Sequence, residues 1–495
     1  MTLTADFPDF SSQHLPDRWA NPLALLTSQQ VRVADALAAQ QGIDTDVLMG
    51  RAGAAVATEV KKRFSRRPVV VLCGPGNNVG DGLVAAAELK LAGWQVTVAL
   101  LRERKMMKRW DGECVPLTPS CLEGAGLVID ALLGVGLDRA LGTDFADFFM
   151  EIESRGLPVV AVDIPSGIEG NTGRVSGTAL KAAVTVTFAS KKPGHLLLPG
   201  RSYAGEVVVA DIGLPASIYD RIQPNLFENG PDLWRSEFPV PAPDAHKYSR
   251  GVTLVAWGGE MTGAARLAAR AAQRAGAGLV YVAAPEKAVP IYAASLESCI
   301  IRTENWPSLV SEDKHDALLI GPGYGVSAQT KRDVLKALAG GRPCVLDADA
   351  LTSFSAKPFD LVENLPADTV LTPHEGEFAR LFPYQGDVLR RASLASVQTG
   401  TIMVLKGPST VIAAPDGTCI LNSNAPPTLA TAGSGDVLAG LITGLLAQGM
   451  AAFPAAAAAV WLHGEVARRF GPGLIAEDIS AGLPEVLRGI LGNPV

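Results

Sequence analysis

Two α/β domains in succession are predicted, each a parallel sheet covered on both faces by helices. Three observations carry this. Short, β-branched, fully apolar runs recur along the chain, with helical segments between most of them, the pattern of doubly wound folds whose strands are buried on both faces. A stretch rich in Pro, Asp and Asn and weak in period interrupts the series at 214–250, as a domain boundary would. The length of 495 residues, 48% apolar and 19% charged, suits two large domains. It excludes a disordered chain or a small disulfide-stapled scaffold.

The first domain is expected over 25–215, after a polar extension at 1–24 that carries no basic and apolar signal-peptide pattern. Thr27 or Ser28 is placed to cap a helix through Val31, Ala34 and Leu37. A second helix is expected from about Val47 to Arg63. Pro68–Cys73, Gln95–Leu101, Leu127–Asp130, Pro158–Asp163 and Ala183–Phe188 read as strands. The segment 216–234 reads as a linker. The second domain, 235–495, repeats the style with strands at Val252–Trp257, Leu279–Ala283, Ala317–Gly321, Cys344–Ala348, Thr369–Thr372, Thr401–Lys406 and Val411–Ala413. An Ala-rich helix is expected at Gly263–Ala275. Val437 to Leu462 carries no charge, but its glycines, Pro454 and many alanines predict two buried helices joined at Gln448-Gly449 and Pro454, not a membrane span. No repeat relates the two halves.

With 43 Lys and Arg against 50 Asp and Glu, the net charge is −7 and no basic tract stands out. Nucleic acid is therefore not expected as a partner. The run Arg102–Arg109 reads as a solvated face. Cys73, Cys114, Cys121, Cys299, Cys344 and Cys419 form no CxxC or zinc spacing, and most lie in apolar runs. Reduced thiols and a cytoplasmic protein are the expectation.

Three strand ends of the first half carry polar chemistry. The strand ending at Cys73 enters a glycine-rich loop, Gly74 to Gly82, before a helix at Leu83–Leu91. Leu127–Asp130 enters Ala131 to Arg139, and Val159–Asp163 enters Ile164-Pro165-Ser166-Gly167. Ligands of open parallel sheets bind at the carboxyl ends of strands, so Asn78, Asp130, Asp163 and Ser166 are expected around one crevice. One Asp after a strand is usually a helix cap; three such ends make that reading weaker. Their oxygens are hard ligands, suited to a hard cation and not to zinc.

Together with Leu48-Met49-Gly50-Arg51-Ala52-Gly53 and Phe188–Gly194 (FASKKPG), the segments CGPGNNVGDG, DALLGVGL and DIPSG resemble the NAD(P)H-hydrate epimerase domain. The resemblance implies a Rossmann-like three-layer α/β/α fold and interconversion of the R and S hydrates of NAD(P)H. It implies potassium at Asn78, Asp130 and Ser166. It also implies substrate contacts from Asn77, Asn78, Val79, Gly80 and Asp81, from Gly134, Val135, Gly136, Leu137, Asp138, Arg139 and Ala140, and from Asp163. Val79 stands where the family usually has glycine; if that position needs φ > 0, valine would be strained. Epimerisation at C6 needs the C–O bond to break and re-form from the other face. Asp163 is the candidate to move the hydroxyl proton or to stabilise a cationic ring.

In the second half, Thr431-Ala432-Gly433-Ser434-Gly435-Asp436 opens a long apolar helix. Free N–H groups at such a start stabilise a transferring phosphoryl group, and Asp436 is placed to take a proton from an attacking hydroxyl. The bland alternative is a buried N-cap. The GxGD run resembles the ribokinase-like fold. Gly258-Gly259, Thr262–Ala265, Gly321-Pro322-Gly323, Leu346–Leu351, Thr372–Glu377 and Lys406–Thr410 narrow the resemblance to the NAD(P)H-hydrate dehydratase domain. His246-Lys247 and Asn424 also match, and Ser434 replaces the commoner Thr.

The whole chain is thus similar to the bacterial bifunctional hydrate-repair enzymes. The resemblance implies Asp436 as base, with Lys406, Gly407, Pro408, Ser409, Thr410 and Gly435 on the nucleotide. Ala264, Gly323, His374 and Asp436 would line the substrate site. ADP is favoured over ATP as phosphoryl donor, with magnesium at the phosphates. A lone His is more often structural, but the place of His374 directly after a strand favours function. A homo-oligomer and no membrane contact are expected. Two other readings stay open: an ordinary hydroxyl kinase in the second half, and a non-catalytic interaction module in the first.

Overall fold

The computed structural model of the chain describes residues 21–102, 110–136, 140–257 and 261–492. The chain divides into two compact units, one ending at Phe227 and the other running from Glu228. The division falls inside the segment read as a linker, and that segment is built structure. It holds a helix, Ala216–Ile222, whose Ile218 is fully buried in the first unit. In the second unit Trp234 is fully buried, and its indole Nε1 donates to Asn229 Oδ1 at 3.3 Å. The Pro- and Asp-rich composition marks irregular backbone and not an open tether.

The first unit has a seven-stranded sheet. Its strands are β1 (Val69–Cys73), β2 (Val96–Leu100), β3 (Cys114–Pro116), β4 (Leu127–Ala131), β5 (Val159–Val162), β6 (Val184–Phe188) and β7 (Glu206–Ala210). They run in the order β3-β2-β1-β4-β5-β6-β7 and every pairing is parallel. The five expected strands are present. The edge strands β3 and β7 add to those expected: Cys114–Pro116 is three residues long, and Glu206–Ala210 has its β-branched run at Val207–Val209 only. The order reverses between β1 and β4, which is where a doubly wound sheet opens a crevice.

Helix α1 (Ser28–Gln40) is capped by Thr27, whose side chain accepts from Gln30 N, and α2 (Thr45–Arg63) is capped by Asp44. Helix α3 (Asn78–Leu91) follows β1, and α4 (Thr143–Ser154) buries Phe148, Phe149 and Ile152 on the other face. The expected start of α3 at Leu83 is corrected to Asn78. The Asn78–Gly82 part of the glycine-rich run is helical, because α2 packs closely on it. A Cβ at Gly53 would lie 2.5 Å from Asp81 O and 2.4 Å from Val84 Cβ, so the MGRAG run is there to bring two backbones together.

The second unit's strands are β8 (Val252–Ala256), β9 (Leu279–Ala283), β10 (Ile300–Arg302), β11 (Ala317–Ile320), β12 (Cys344–Leu346), β13 (Thr369–Leu371), β14 (Ile402–Leu405), β15 (Thr410–Ala413) and β16 (Cys419–Asn422). Their order is β16-β15-β14-β13-β12-β11-β8-β9-β10, parallel from β14 to β10 and antiparallel through β14-β15-β16. Strands β10 and β16 add to those expected. The carboxyl ends of β8, β11, β12, β13 and β14 therefore lie along one edge.

Helices α5 (Thr262–Arg274), α6 (Ser434–Ala447) and α7 (Ala452–Phe470) cover this sheet. The uncharged stretch is the two helices expected, with α7 beginning at Ala452 so that Pro454 lies in its first turn, where proline is tolerated. Among the described residues no helix is long and apolar enough to cross a membrane. A Cβ at Gly440 would lie 2.2 Å from Ala268 O, and one at Gly444 2.6 Å from Ala272 O. The α5–α6 crossing thus requires backbone-to-backbone contact. Gly440→Val is expected to destabilise the second unit by about 3 kcal/mol, read as a lowered melting transition; an unchanged transition would mean that the helices do not need this approach.

Candidate active sites

In the first unit the polar residues gather at the sheet's switch point. Asp130 ends β4 and is wholly buried. Its Oδ1 accepts from Ser166 Oγ at 2.6 Å and Leu132 N at 3.2 Å, and its Oδ2 from Ser166 N at 2.8 Å. Burial raises its pKa, against the lowering effect of the Ser166 hydrogen bonds. Among the described residues no cationic side chain forms an ion pair with it. Ser166 Oγ also accepts from Leu133 N at 3.0 Å. Asn78, at the start of α3, donates from Nδ2 to Val162 O at 2.9 Å. Its Oδ1 faces Gly134, where a Cβ would lie 3.1 Å away. Three strand ends thus bring Asn78, Asp130 and Ser166 to one place. A buried carboxylate without a countercharge, beside amide and hydroxyl oxygens, is a donor set that fits a hard monovalent cation.

Asp163 follows β5 in the left-handed region, at φ 67. Lys192, itself 1% exposed, pairs with its Oδ1, and Thr187 Oγ1 donates to the same oxygen at 2.9 Å. Lys192 Nζ also donates to Thr187 Oγ1 at 2.8 Å. His195 Nδ1 accepts from Lys192 N at 3.0 Å, which leaves the proton on Nε2 to donate to Asp163 O at 2.8 Å. Burial pushes the Asp163 pKa up, but Lys192, with His195 and Thr187, holds it below the ordinary carboxylate value. Burial and the Lys192 charge lower His195 to about 4, so it is neutral. Sequence reasoning did not single out Lys192 and His195; the signal for them is the FASKKPG run, which contains Lys192 and directly precedes His195.

Val79 lies in the first turn of α3, is absent from the positive-φ residues and is buried in the core. The strain expected for a left-handed position does not arise. Asn77 is exposed, Gly80 and Asp81 are half-buried on α3, and Gly134 and Val135 line the loop after β4 with the more exposed Gly136 and Ala140. Leu137, Asp138 and Arg139 lie outside the described residues, as do Gly258, Gly259 and 103–109 of the charge run.

In the second unit, Gly433 at φ 87 turns the chain into α6, an angle that L side chains rarely adopt. Asp436 stands in the first turn of α6. His463 on α7 donates from Nε2 to Ser434 O at 2.8 Å and fixes that turn; burial holds its pKa down at about 4. Lys406 ends β14, and its Nζ bonds Asp347 Oδ1 at 2.7 Å. A Cβ at Gly435 would lie 3.2 Å from that Nζ, so the ammonium sits against the helix start. Asp436 is pushed up to about 6, first by burial and then by Asp347 and Asp349, against a lowering by Lys406.

Between the two acids, Ala348 takes φ 47, sparsely allowed for alanine. That kink turns Asp347 to Lys406 and Asp349 to Gly325 N, which it accepts at 2.8 Å. Gly323, whose Cβ would meet Met261 O at 2.6 Å and Ala264 Cβ at 3.3 Å, brings the loop after β11 onto the start of α5. Ala264 and Gly323 are therefore neighbours, as expected of one site. The turn after Lys406 is closed by Thr410 Oγ1, which donates to Gly407 O at 3.0 Å, and Ser409 is buried in it.

His374 is the cap of the helix Glu375–Leu381. Its Nδ1 accepts from Gly376 N at 2.9 Å, while Glu377 Oε2 accepts from His374 N at 2.9 Å. The structural role first weighed for it is thus real. With Nδ1 engaged, Nε2 carries the proton on a side chain that is 57% exposed. A parallel bridge, His374 to Lys406, ties this loop to the end of β14. Glu377 is buried beside it. Burial raises its pKa, opposed by the His374 backbone hydrogen bond and Lys406 and reinforced by Asp347. Among the described residues no group of three or more His, Cys, Asp and Glu is arranged to hold a metal by itself. A cation here would share its shell with phosphates, which is how magnesium usually binds.

Each unit thus sets a buried carboxylate and a lysine at the carboxyl edge of a parallel sheet, and the chain is by that arrangement a two-site α/β enzyme. A family profile described as NAD(P)H-hydrate dehydratase matches residues 252–478, and one described as YjeF-related protein N-terminus matches 45–194. The bifunctional NAD(P)H-hydrate repair enzyme Nnr of Salinibacter ruber is 34% identical, over 93% of this chain and 96% of its own. The enzyme of the same name from Moorella thermoacetica is 36% identical over 94% and 97%. The chain belongs to the family of bifunctional NAD(P)H-hydrate repair enzymes. Among solved structures, the ADP/ATP-dependent NAD(P)H-hydrate dehydratase of Bacillus subtilis, co-crystallised with ATP and Mg²⁺, is 31% identical over 53% of this chain and 97% of that one, with a TM-score of 0.48.

The raised pKa of Asp436 carries a stability cost of defined sign. Below about pH 4 the carboxyl is protonated folded and unfolded. Between the ordinary value of 3.8 and about 6 the folded chain holds a proton that the unfolded chain has lost, so stability falls as pH rises through this window and stays reduced above it. Asp436→Asn is expected to be more stable than wild type by on the order of 2 kcal/mol at about pH 8. The advantage should vanish near pH 4; melting curves at both pH values check it.

Proposed function

We propose that the chain repairs hydrated NAD(P)H at two sites. The first unit interconverts the R and S hydrates. The second dehydrates the S hydrate to NAD(P)H, with ADP or ATP as phosphoryl donor and AMP or ADP plus phosphate as co-products. The observation that carries this reading is Asp436, a carboxylate raised to about 6 at a glycine-lined helix start, with the Lys406 ammonium beside it. It is a base of matched strength next to a cup for phosphate.

In the second unit the C6 hydroxyl oxygen attacks the terminal phosphorus of the nucleotide while its proton passes to Asp436. The bond from that phosphorus to the bridging oxygen breaks, and the shortened nucleotide leaves. Phosphate then departs from C6 with the bonding electrons, a proton is lost from C5, and the C5–C6 double bond returns. Gly435 N–H, Lys406 and the turn Gly407-Pro408-Ser409-Thr410 hold the phosphates. Ala264, Gly323 and the proton-bearing Nε2 of His374 line the hydrate. Magnesium, supplied with the nucleotide, would offset the carboxylates of Asp347, Asp349 and Glu377 and the phosphate charge together. An ordinary kinase would stop at the phosphorylated product.

In the first unit Asp163 is the anion beside the reacting ring. Substrate contacts come from the Asn77–Asp81 turn, including Asn78, Val79 and Gly80, and from 134–140. Asn78, Asp130 and Ser166 would hold potassium, which supplies the countercharge that the buried Asp130 carboxylate otherwise lacks.

A mixed R/S NADHX sample with ADP, Mg²⁺ and K⁺ tests the reading by the near-ultraviolet absorbance of restored NADH. Complete conversion is expected. A plateau at the S fraction would remove the epimerase, and a stable phosphorylated product the dehydratase. Asp436→Ala is expected to abolish NADH release while R and S still interconvert. The wild-type dehydration rate should fall on the acid side of about pH 6 as Asp436 is protonated. Exchanging potassium for lithium is expected to slow epimerisation about tenfold or more; an unchanged rate would detach the cation from Asn78, Asp130 and Ser166.

A further inference from the structure

Among the described residues, Asp163 alone combines a left-handed backbone, a buried carboxylate and a buried lysine partner. Its two carboxylate oxygens are not equivalent. Oδ1 receives Lys192 Nζ and Thr187 Oγ1. Oδ2 accepts no hydrogen bond among the described residues. The backbone is tied as well: Asp163 N donates to Val186 O at 2.8 Å, and Asp163 O accepts from His195 Nε2 at 2.8 Å. Asp163 is the one carboxylate that Lys192 contacts directly among the described residues, its further contacts being Thr187 Oγ1 and Phe188 O at 3.4 Å. Lys192 is 1% exposed, and its Nζ is taken up by Asp163 Oδ1, Thr187 Oγ1 and Phe188 O, so its charge is delivered to that aspartate.

Resting on the epimerase reading of the first unit, we propose that Lys192, with Thr187, is a positioning residue: the two clamp Oδ1 of Asp163 and leave Oδ2 as the single edge that meets the reacting ring. The clamp selects between the two roles open to Asp163. A carboxylate paired with a buried ammonium stays ionised and is a poor proton donor. It serves as the fixed negative end of a dipole beside a developing cation. In the step it supports, the C6–O bond breaks with its electron pair on oxygen, solvent supplies a proton, and water leaves. The N1 lone pair forms the N1–C6 double bond, and the positive ring lies against Oδ2. Water then adds to the other face of C6 and returns a proton to solvent, so atoms and charge balance.

Three other titratable groups face this pair. His195 is neutral and hydrogen-bonded to the Asp163 carbonyl, and Lys191 adds to the lowering of its pKa. Asp35, on α1, is raised by desolvation, lowered by Lys192 and raised again by Asp163. None of them replaces the Lys192 charge at Oδ1. Loss of Lys192 leaves a buried carboxylate that protonates more readily, and a side chain free to rotate.

The experiment follows R-to-S interconversion by chromatography over a range of pH in the full chain, for wild type, Asp163→Asn, Lys192→Met, Thr187→Val and Thr187→Ser. Lys192→Met is expected to lower kcat by about a hundredfold with KM little changed, and to move the acid limb of the rate upward by about one pH unit or more. Thr187→Val should lower kcat by about tenfold and Thr187→Ser, which keeps the hydroxyl, should restore it. If Lys192→Met does not give a cooperative melting transition, the Thr187 pair decides the question. A folded Lys192→Met or Thr187→Val enzyme with the wild-type kcat and pH profile would overturn the clamp while leaving the epimerase reading intact. A wild-type chain that never interconverts the hydrates would overturn that reading itself.

Discussion

The ion pair of Lys406 with Asp347 is the contact on which the second unit's chemistry depends. Its 2.7 Å hydrogen bond joins the ends of β14 and β12, with β13 between them. It holds an ammonium against the start of α6 at Gly435. Withdrawing both charges from water is costly, and only close geometry and further hydrogen bonds repay it. That geometry comes from the kink at Ala348 and the parallel register of three buried strands. Asp347 takes the lysine, and among the described residues Asp436 has no ion-pair partner of its own. Burial first, and then the carboxylates of Asp347 and Asp349, raise its pKa against the opposing charge of Lys406.

The first unit uses the same device with the roles exchanged. There the lysine is committed to Asp163 and, against the effect of burial, holds its pKa below the ordinary carboxylate range. Asp130, which pairs with Ala161 across the neighbouring strand, has hydroxyl and amide partners only among the described residues. Two aspartates at adjacent strand ends thus differ in what answers their charge, a lysine for one and hydroxyl and amide groups for the other. If dehydration accepts only one epimer, joining the two activities in one chain lets both hydrates be repaired without any channel between the sites.

Much of this was legible in the sequence. Buried parallel strands announce themselves as apolar β-branched runs, and the GxGD at the opening of an apolar helix does put Asp436 in that helix's first turn. The failures have particular causes. Lys192 stands 29 residues from Asp163, and nothing local in Lys191-Lys192 says which lysine turns inward. His463 follows an alanine-rich helical run and declares itself only through a hydrogen bond to Ser434, 29 residues earlier in the chain. The edge strand Glu206–Ala210 does carry a β-branched run, Val207-Val208-Val209, but it is short and begins at a charged residue. Asn78–Gly82 looked like a loop by composition, yet helix packing against Gly53 draws it into α3. His374 shows the limit from the other side: it is a helix cap whose Nε2 lies 3.5 Å from Glu377 Oε1 on a side chain that is 57% exposed, so a structural role leaves the ring open to solvent.

Crystals grown with a non-transferable ADP analogue and Mg²⁺ offer the most direct view of the second site. The terminal phosphoryl group should lie at the Gly435 N–H, within reach of Lys406 Nζ, with the Asp436 carboxylate facing the side from which a hydroxyl would attack. A nucleotide bound with that group on the far side of the β14–β15 turn, away from Asp436, would contradict the assignment of base and phosphate cup alike.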